Sequence, residues 1–209
     1  MAEKRKQAPD LLEAAFAEIA QSGLGGFSRA ALARRAGVDL GEVYRTFPTR
    51  MSLLRRLGER LDAAMLELDL GELEEMSPRE RLFELIMRRF DAMKPYRAGL
   101  LRLSRELLPE PRLLLRSALN LDRLVEWLLE LADIPPRGCA RLFLEPALAA
   151  AYLRSYRVWL RDESPDQAKT LAALDRELAR FERLASRFLR GAMPPRRPPR
   201  EPESAAQPA

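Results

Sequence analysis

The stretch that decides the fold is residues 28–47, which read Ser-Arg-Ala-Ala-Leu-Ala-Arg-Arg-Ala-Gly-Val-Asp-Leu-Gly-Glu-Val-Tyr-Arg-Thr-Phe. Leu32, Val38 and Val43 have the spacing that packs two short helices against each other, and Gly37 supplies the tight turn between them. Such packing leaves the outer face of the second helix free to enter a DNA major groove. The stretch therefore predicts a helix-turn-helix.

Local signals set the ends of these two helices. Ser28 is a capping residue for the first helix, which we expect to end at about Arg35. The second helix is expected from Asp39 to about Arg45, and the Phe47-Pro48-Thr49 stretch ends it and starts the next helix. Both helices are short, as a helix-turn-helix requires.

Helical spacing also dominates the rest of the chain, and no segment alternates like a strand. We therefore expect an all-α fold of about nine helices, with a three-helix N-terminal head joined to a larger helical domain. The head is expected over residues 1–60, and a ligand-binding and dimerisation domain over residues 61–193. Residues 194–209 are rich in proline and poor in apolar side chains, which is typical of a disordered tail.

Two later helix starts have a clear signature. The stretch Ser77-Pro78-Arg79-Glu80 has a capping hydroxyl, a proline in the first turn and a glutamate three residues after the cap. The stretch Ser164-Pro165-Asp166-Gln167 repeats this arrangement. We expect a helix to begin at each of them.

Composition favours a binding protein over an enzyme. The 209 residues include 36 Lys+Arg and 31 Asp+Glu, a net charge of +5 that is compatible with nucleic acid without being diagnostic of it. There is no histidine, which removes the commonest general base and the commonest metal ligand. The single cysteine, Cys139, has no partner for an internal disulfide. We therefore expect no catalytic site, no metal and no cofactor.

Hydropathy gives no reason to place the chain in a membrane. No apolar run reaches the roughly 18 residues of a membrane span. Residues 1–10 are charged and lack the apolar core of a signal peptide. We expect a cytoplasmic protein.

The segment from residue 11 to residue 54 resembles the TetR family of transcriptional regulators. The family pattern is present in register at Leu11-Leu12-Glu13-Ala14-Ala15-Phe16, Gly23, Ala36-Gly37-Val38, Gly41, Val43-Tyr44, Phe47, Arg50 and Leu53-Leu54. The resemblance implies a homodimer whose recognition helices enter successive major grooves of double-stranded DNA. It also implies a small molecule that alters the separation of those helices.

The resemblance also implies which residues meet DNA. The expected set is Ser28, Arg29, Leu40, Gly41, Glu42, Tyr44, Arg45, Thr46 and Arg50, with Lys4, Arg5 and Lys6 on an N-terminal arm. Tyr44 would place its hydroxyl near a phosphate, and Arg45 and Arg50 would contact the backbone or base edges. Leu40 and Gly41 would lie against the groove. The arm would add phosphate contacts that do not depend on sequence.

Two positions depart from the family pattern, because Glu42 replaces a small residue or threonine and Thr46 replaces an aromatic residue or histidine. Asp39 and Glu42 have the spacing of a helix cap and its reciprocal partner, so they could simply hold the helix start. Glu42 could instead accept a hydrogen bond from a cytosine amino group. A third alternative is that its charge repels phosphates and weakens or abolishes DNA binding.

The last helix has an apolar seam with 3-4-3-4 spacing, which consists of Leu171, Leu174, Leu178, Phe181, Ala185 and Phe188. The helix before it offers further apolar and small side chains, namely Leu142, Phe143, Ala149, Ala150 and Leu153. In TetR-type proteins the last two helices pair with their copies, so the resemblance implies a homodimer through them. The alternative is that the seam packs within one chain.

A second resemblance lies in Trp159-Leu160-Arg161-Asp162-Glu163-Ser164, followed by Thr170, Leu174-Asp175 and Leu178. This segment is similar to the TetR-fold lipid-binding accessory proteins of ubiquinone biosynthesis, which do not act as DNA regulators. The likeness implies an apolar ligand. Trp127, Tyr152, Tyr156 and Trp159 are candidates to line its pocket, although aromatic residues at helical spacing are also typical of a core.

Two functions remain open from the sequence. The first is a ligand-responsive regulator, in this family usually a repressor, that binds a palindromic operator as a homodimer through residues 28–47. The second is a TetR-fold lipid-binding accessory protein without specific affinity for DNA. Asp39, Glu42 and the second resemblance favour the latter.

Overall fold

The structure is a computed structural model that describes residues 10–106, 109–134 and 138–188. Across these residues the backbone forms ten α-helices and two short 3-10 turns, and no strand. The α-helices are α1 (Leu11–Gly26), α2 (Arg29–Ala36), α3 (Leu40–Thr46), α4 (Arg50–Leu66), α5 (Leu70–Glu75), α6 (Pro78–Met93), α7 (Arg97–Glu106), α8 (Pro111–Leu131), α9 (Arg141–Trp159) and α10 (Ala168–Phe188). The predicted all-α fold is confirmed.

We call α1–α3 the head and α4–α10 the body. In the head, α1 packs against α2 and α2 packs against α3. Helix α4 contacts both α1 and the body helices α6 and α8. Because α4 spans residue 60 without a break, a single helix carries the chain from the head into the body.

Hydrogen-bonding side chains begin the helices that lead into the body. Thr49 and Ser52 form a capping box at the start of α4. Ser77 and Glu80 form another at the start of α6, where Pro78 occupies the first turn. These contacts satisfy backbone N–H groups that have no partner inside the helix. The helix start predicted at Ser77 is confirmed.

The second predicted start, at Ser164, is wrong because α10 begins at Ala168. The Ser164 hydroxyl donates to the Asp162 carboxylate instead of capping a helix. Gln167 has a φ of 54°, outside the helical region. The chain therefore turns through Ser164–Gln167 and becomes helical only afterwards.

Asp162 holds the corner between α9 and α10. Its carboxylate accepts hydrogen bonds from the backbone and hydroxyl of Ser164 and from those of Thr170, with Thr170 N at 2.8 Å and Thr170 Oγ1 at 2.7 Å. Burial by itself would raise the pKa of the Asp162 carboxyl, but these hydrogen bonds outweigh it and hold the pKa well below its usual range. Arg97 donates to the carbonyl oxygens of Trp159 and Asp162, which ties α7 to the same corner.

The apolar seam of α10 is divided between the core and the surface. Leu174, Leu178, Phe181 and Ala185 are buried within the chain, whereas Phe188 is exposed. Most of the seam therefore packs inside one chain, mainly against α9 and α6. For these four residues, the alternative that the seam packs within one chain, and not against a second copy, is confirmed.

Some sequence predictions fall on residues that the structure does not describe. Lys4, Arg5 and Lys6 of the expected N-terminal arm lie outside the described residues, as does the expected tail over 194–209. Among the helices that are described, none is both long and apolar enough to cross a membrane.

Candidate DNA interface

The two helices of the predicted helix-turn-helix are built by local caps and one tight turn. Ser28 Oγ accepts a hydrogen bond from Ala31 N at the start of α2. Gly37 follows α2 with a φ of 67°, a left-handed conformation that glycine adopts without steric cost. Asp39 Oδ2 then accepts from Gly41 N at 2.7 Å and from Glu42 N at 3.3 Å at the start of α3. The sequence therefore orients α3 through contacts close in the chain.

Helix α3 has one buried face and one exposed face. Val43 on α3, Phe47 at its end and Leu32 on α2 are each no more than 1% exposed, so they form a small core that fixes the angle between the helices. On the opposite face Leu40 is 44% exposed and Tyr44 is 51% exposed. An exposed leucine and tyrosine on a short, rigidly packed helix are well placed to lie in a groove.

Arg29 holds the end of α3 against α2. Its Nε donates to the carbonyl oxygen of Phe47 at 2.5 Å, and its terminal nitrogen donates to that of Pro48 at 3.2 Å. Its guanidinium also lies 5.1 Å from the centre of the Tyr44 ring. The sequence places Arg29 among the DNA-contacting residues, and the structure engages its side chain within the head. Ser28 likewise serves as a helix cap.

Acidic groups lie at the start of the recognition helix. Asp39 caps α3, as one of the sequence alternatives predicts. The reciprocal contact from Glu42 is not formed, and the exposed Glu42 carboxylate makes no hydrogen bond or ion pair with another described residue. Thr46 Oγ1 donates to the Glu42 carbonyl oxygen at 2.9 Å, so the Thr46 hydroxyl hydrogen is engaged within the helix. Glu42 therefore presents an uncompensated negative charge on the outer face.

Three arginines of the head and the start of α4 are available to an anionic partner. Arg34, Arg45 and Arg50 are half-buried or exposed, and none forms an ion pair or hydrogen bond with another described residue. Arg35, in contrast, pairs with Glu18 at 3.1 Å. Unpaired guanidinium groups are the donors that commonly contact phosphates and base edges. Arg45 lies on α3 itself, and Arg50 begins α4.

The head meets the body where α1 packs along α7. At Gly23 the helix α1 is interrupted, with a φ of 72° and a ψ of 171°. The freed Leu24 N–H donates to Glu106 Oε2 at 2.9 Å, and Arg102 Nε pairs with the same carboxylate at 3.1 Å. A Cβ at Gly23 would lie 2.1 Å from Glu106 Oε1 and displace that side chain, and the backbone conformation itself is essentially restricted to glycine. We call this contact between Gly23, Leu24 and Glu106 the junction.

The aromatic residues predicted to line a ligand pocket pack against one another in the body. Trp159 is fully buried and stacks on Phe90 at 5.7 Å and on Tyr156 at 5.8 Å between ring centres. Tyr152 stacks on Tyr156 at 6.2 Å. Burial raises the pKa of both tyrosine hydroxyls, so both are neutral at physiological pH. Trp127 lies apart from this cluster.

This aromatic cluster is arranged as a core. Described residues line a cavity of 550 Å³ that adjoins the junction and another of 130 Å³ between α6 and α10. Neither is lined by Trp127, Tyr152, Tyr156 or Trp159. A ligand role for these four residues stays a prediction.

Comparison with known proteins agrees with this geometry. Residues 11–57 match the family described as bacterial regulatory proteins, tetR family. The structure of a TetR transcriptional regulator from Nitrosomonas europaea ATCC 19718 superposes with a TM-score of 0.69, at 24% identity, covering 82% of this chain and 95% of that one. A structure described as the molecular basis for control of antibiotic production by bacterial hormones gives a TM-score of 0.52 at 25% identity, covering 87% and 98%. No curated protein is significantly similar to the chain.

The chain thus carries a tetR-type DNA-binding domain on the fold of a TetR transcriptional regulator. The resemblance predicted from residues 11–54 is confirmed for the N-terminal domain, which the tetR family model matches over residues 11–57. Three residues of the segment that resembles the lipid-binding accessory proteins have a structural role here. Asp162, Ser164 and Thr170 form the corner between α9 and α10.

Proposed function

We propose that the protein is a ligand-responsive repressor that binds a palindromic operator as a homodimer through α2 and α3. The observation that carries this proposal is the outer face of α3, where Leu40, Tyr44 and the unpaired Arg45 are exposed. The opposite face is fixed by Val43 and Phe47, so α3 can enter a groove without losing its packing. The division into a DNA-binding domain over 1–60 and a ligand-binding and dimerisation domain over 61–193 belongs to the same proposal.

Dimerisation is supported by an exposed apolar stripe on α9. Leu142 is 74% exposed, Pro146 is exposed one turn later, and Leu153 is 38% exposed on the same side. Phe143 stacks on Phe188 of α10 with 5.0 Å between the ring centres, and both rings are partly open to solvent. Apolar surface of this kind on the last two helices is what a second copy would cover. Sedimentation at micromolar concentration should therefore give the mass of two chains.

Ligand control is supported by the way the body reaches the head. A ligand changes DNA binding only if it binds one arrangement of the heads better than another. Helix α7 contacts the α9–α10 corner through Arg97 at one end and the head through Glu106 at the other. A shift of α7 would therefore reach α1 directly.

The DNA proposal is tested by a gel-shift assay with the DNA that flanks the gene. We expect tight binding that weakens steeply as salt rises, because phosphate contacts release counterions. Arg45→Ala should lose about 1–3 kcal/mol of binding free energy. Arg157→Ala, which removes an exposed arginine on α9, is the matched control and should bind like wild type. Equal binding by both variants would reject α3 as the DNA-reading element.

A second candidate function is a lipid-binding accessory protein without specific DNA affinity, and the uncompensated Glu42 carboxylate on α3 favours it. Glu42→Thr separates the alternatives. If Glu42 accepts from cytosine, the variant should lose preference among operator sequences by about 1–3 kcal/mol. If Glu42 only repels phosphates, the variant should bind every duplex more tightly. Co-purifying lipid, with no duplex bound at low ionic strength, would support the accessory protein.

A further inference from the structure

A cluster of arginines in the body carries more positive charge than the carboxylate beside it neutralises. Asp62 on α4 is buried and accepts from Arg89 NH1 of α6 at 2.5 Å and from Arg123 NH2 of α8 at 2.6 Å. Asp62 is the only described carboxylate within ion-pair distance of these two guanidinium groups. One buried negative charge thus serves two positive charges, of which Arg89 is buried and Arg123 is partly exposed.

A third arginine extends the same region. Arg116 lies seven residues before Arg123, so two helical turns place both on one side of α8. Arg116 is half-buried and makes no ion pair or hydrogen bond with another described residue. The three guanidinium groups therefore carry two more positive charges than Asp62 neutralises.

Each of these arginines also has a buried donor without a partner. The Nε atoms of Arg89, Arg116 and Arg123 are buried, and none finds an acceptor among the described residues. Arg89 is only 5% exposed, which makes its unsatisfied donor especially costly. Buried, unpaired guanidinium donors are the groups that an incoming carboxylate satisfies best.

The side of α8 that carries these donors is open enough to be reached. Arg116, Asn120, Arg123 and Trp127 follow one another at helical spacing, and all four are half-buried. Gly58 of α4 faces them, and a Cβ there would lie 3.3 Å from Arg123 NH2 and 3.6 Å from Asn120 Nδ2. Because Gly58 is buried and has no side chain, Arg123 and Asn120 pack closely over α4 there. We call the half-buried strip that these four residues of α8 form beside α4 the arginine groove.

Aromatic rings adjoin the ion cluster on both sides, and the Trp127 ring beside Arg123 is the one that is half-buried. The Arg123 guanidinium lies 5.9 Å from the centre of the Trp127 ring. On the other side, the Arg89 guanidinium lies near the buried Tyr152, which belongs to the aromatic cluster. An acidic group would therefore meet guanidinium donors while the rest of its molecule meets aromatic rings.

We propose that the arginine groove binds an organic acid with an apolar body, held by Arg89, Arg116 and Arg123. The acid supplies the missing negative charge and the missing acceptors. This inference names the chemical class of the ligand in the function proposed above and rests on that function for its regulatory meaning. Trp127 is the one predicted pocket residue that lies in the groove.

The test is calorimetric titration of the full chain with decanoate, and with decanol as the uncharged probe of the same length. We expect decanoate to bind and decanol to bind at least roughly tenfold more weakly, as expected for a lost charge-assisted hydrogen bond. Equal binding of the two probes would overturn the proposal, because the guanidinium groups would then contribute nothing. If inorganic phosphate binds as tightly as decanoate, the proposal that the ligand has an apolar body would be overturned.

Arg116→Gln is the informative variant because it breaks no hydrogen bond or ion pair with another described residue. It should fold like wild type by circular dichroism and weaken decanoate binding roughly tenfold. Arg123→Gln should also weaken it, and Arg176→Gln, an exposed arginine of α10, is the matched control. Unchanged binding in Arg116→Gln and Arg123→Gln would reject the site.

The gel-shift assay separates this inference from the proposed function. Binding to DNA without any binding of decanoate would reject the arginine groove and leave the regulator intact. Decanoate binding that depends on Arg116, in a protein that binds no duplex, would reject the regulator and leave the groove intact. Release of the duplex by decanoate, lost in Arg116→Gln, would support both.

Discussion

The head and the body of the molecule are stabilised by contacts of different range. In the head, capping residues lie within three positions of the amides they bind, and the core residues Leu32 and Val43 are close in sequence. In the body, Asp62 binds Arg89 and Arg123, which are 27 and 61 positions away. The head thus resembles a small rigid unit placed on the end of a larger frame, and the frame contains most of the buried charge of the described residues.

This difference separates the residues that would bind DNA from the residues that would respond to a ligand. The residues that would touch DNA lie on the exposed face of α3 and contribute little to stability. The buried charges of the body contribute to stability and would respond to a ligand. The region in which a substitution lies should therefore decide whether it affects DNA binding, stability or the response to a ligand. Four substitutions test this division of roles.

The largest effect is expected in the core of the head. Phe47→Ala removes a ring that is 1% exposed and should cost about 3–5 kcal/mol of unfolding free energy. Denaturation in urea measures it, and DNA binding should be lost with it. Tyr44→Ala, on the exposed face of α3, is the control and should leave the unfolding midpoint nearly unchanged while weakening DNA binding.

A comparable effect is expected from breaking the buried charge cluster of the body. Asp62→Asn leaves Arg89 buried without a counter-charge and should cost about 3–5 kcal/mol. The same urea titration measures it. Glu59→Gln, which removes an exposed ion-pair partner one turn away on α4, should change stability by less than about 1 kcal/mol. Similar losses for the two variants would mean that Asp62 is not effectively buried.

A smaller effect is expected at the junction between the two regions. Gly23→Ala forces a side chain into a conformation that is essentially restricted to glycine and should cost about 1–3 kcal/mol. The added Cβ also collides with Glu106, so Gly23→Ala combined with Glu106→Ala should lose less than the sum of the two single variants. Strictly additive losses, measured by thermal unfolding, would show that the contact is absent in solution.

The smallest effect is a pH dependence of the α9–α10 corner. The pKa of Asp162 is lower in the folded chain than its ordinary value near 3.9, so the unfolded chain binds the proton more tightly. The stabilisation is present above about pH 4 and is lost as the pH falls toward the folded pKa. Asp162→Asn should lose stability at neutral pH and show a flatter decline between about pH 4 and pH 2. If the stability of Asp162→Asn falls as steeply with pH as that of the wild type, other carboxyl groups cause the acid sensitivity.

The sequence predicts the head far better than the body because of the range of the contacts. In the head, the caps at Ser28 and Asp39 and the turn at Gly37 depend on neighbours within a few residues, and all are present. The cap at Ser164 fails because Asp162, two residues earlier, takes the Ser164 hydroxyl.

Long-range contacts leave no local signal. Arg29 matches the pattern of a DNA-contacting residue, yet it donates to carbonyl groups 18 and 19 positions away. Arg116 and Arg123 look like two arginines among many until the fold brings Asp62 and Gly58 opposite α8. The spacing of the α10 seam predicts an apolar face, but spacing alone does not say whether that face meets α9 or a second chain.

Hydroxyl-radical footprinting of the flanking DNA tests the central claim most directly, because it maps where α3 lies and how many copies bind. We predict two protected segments on one face of the duplex, related by a palindrome and about one helical turn of 10 base pairs apart, or a multiple of that spacing. Arg45→Ala should erase both segments together, and Arg157→Ala should erase neither. A single protected segment, or no protection at low salt from a folded protein, would contradict the claim that a homodimer binds DNA through two helix-turn-helix motifs.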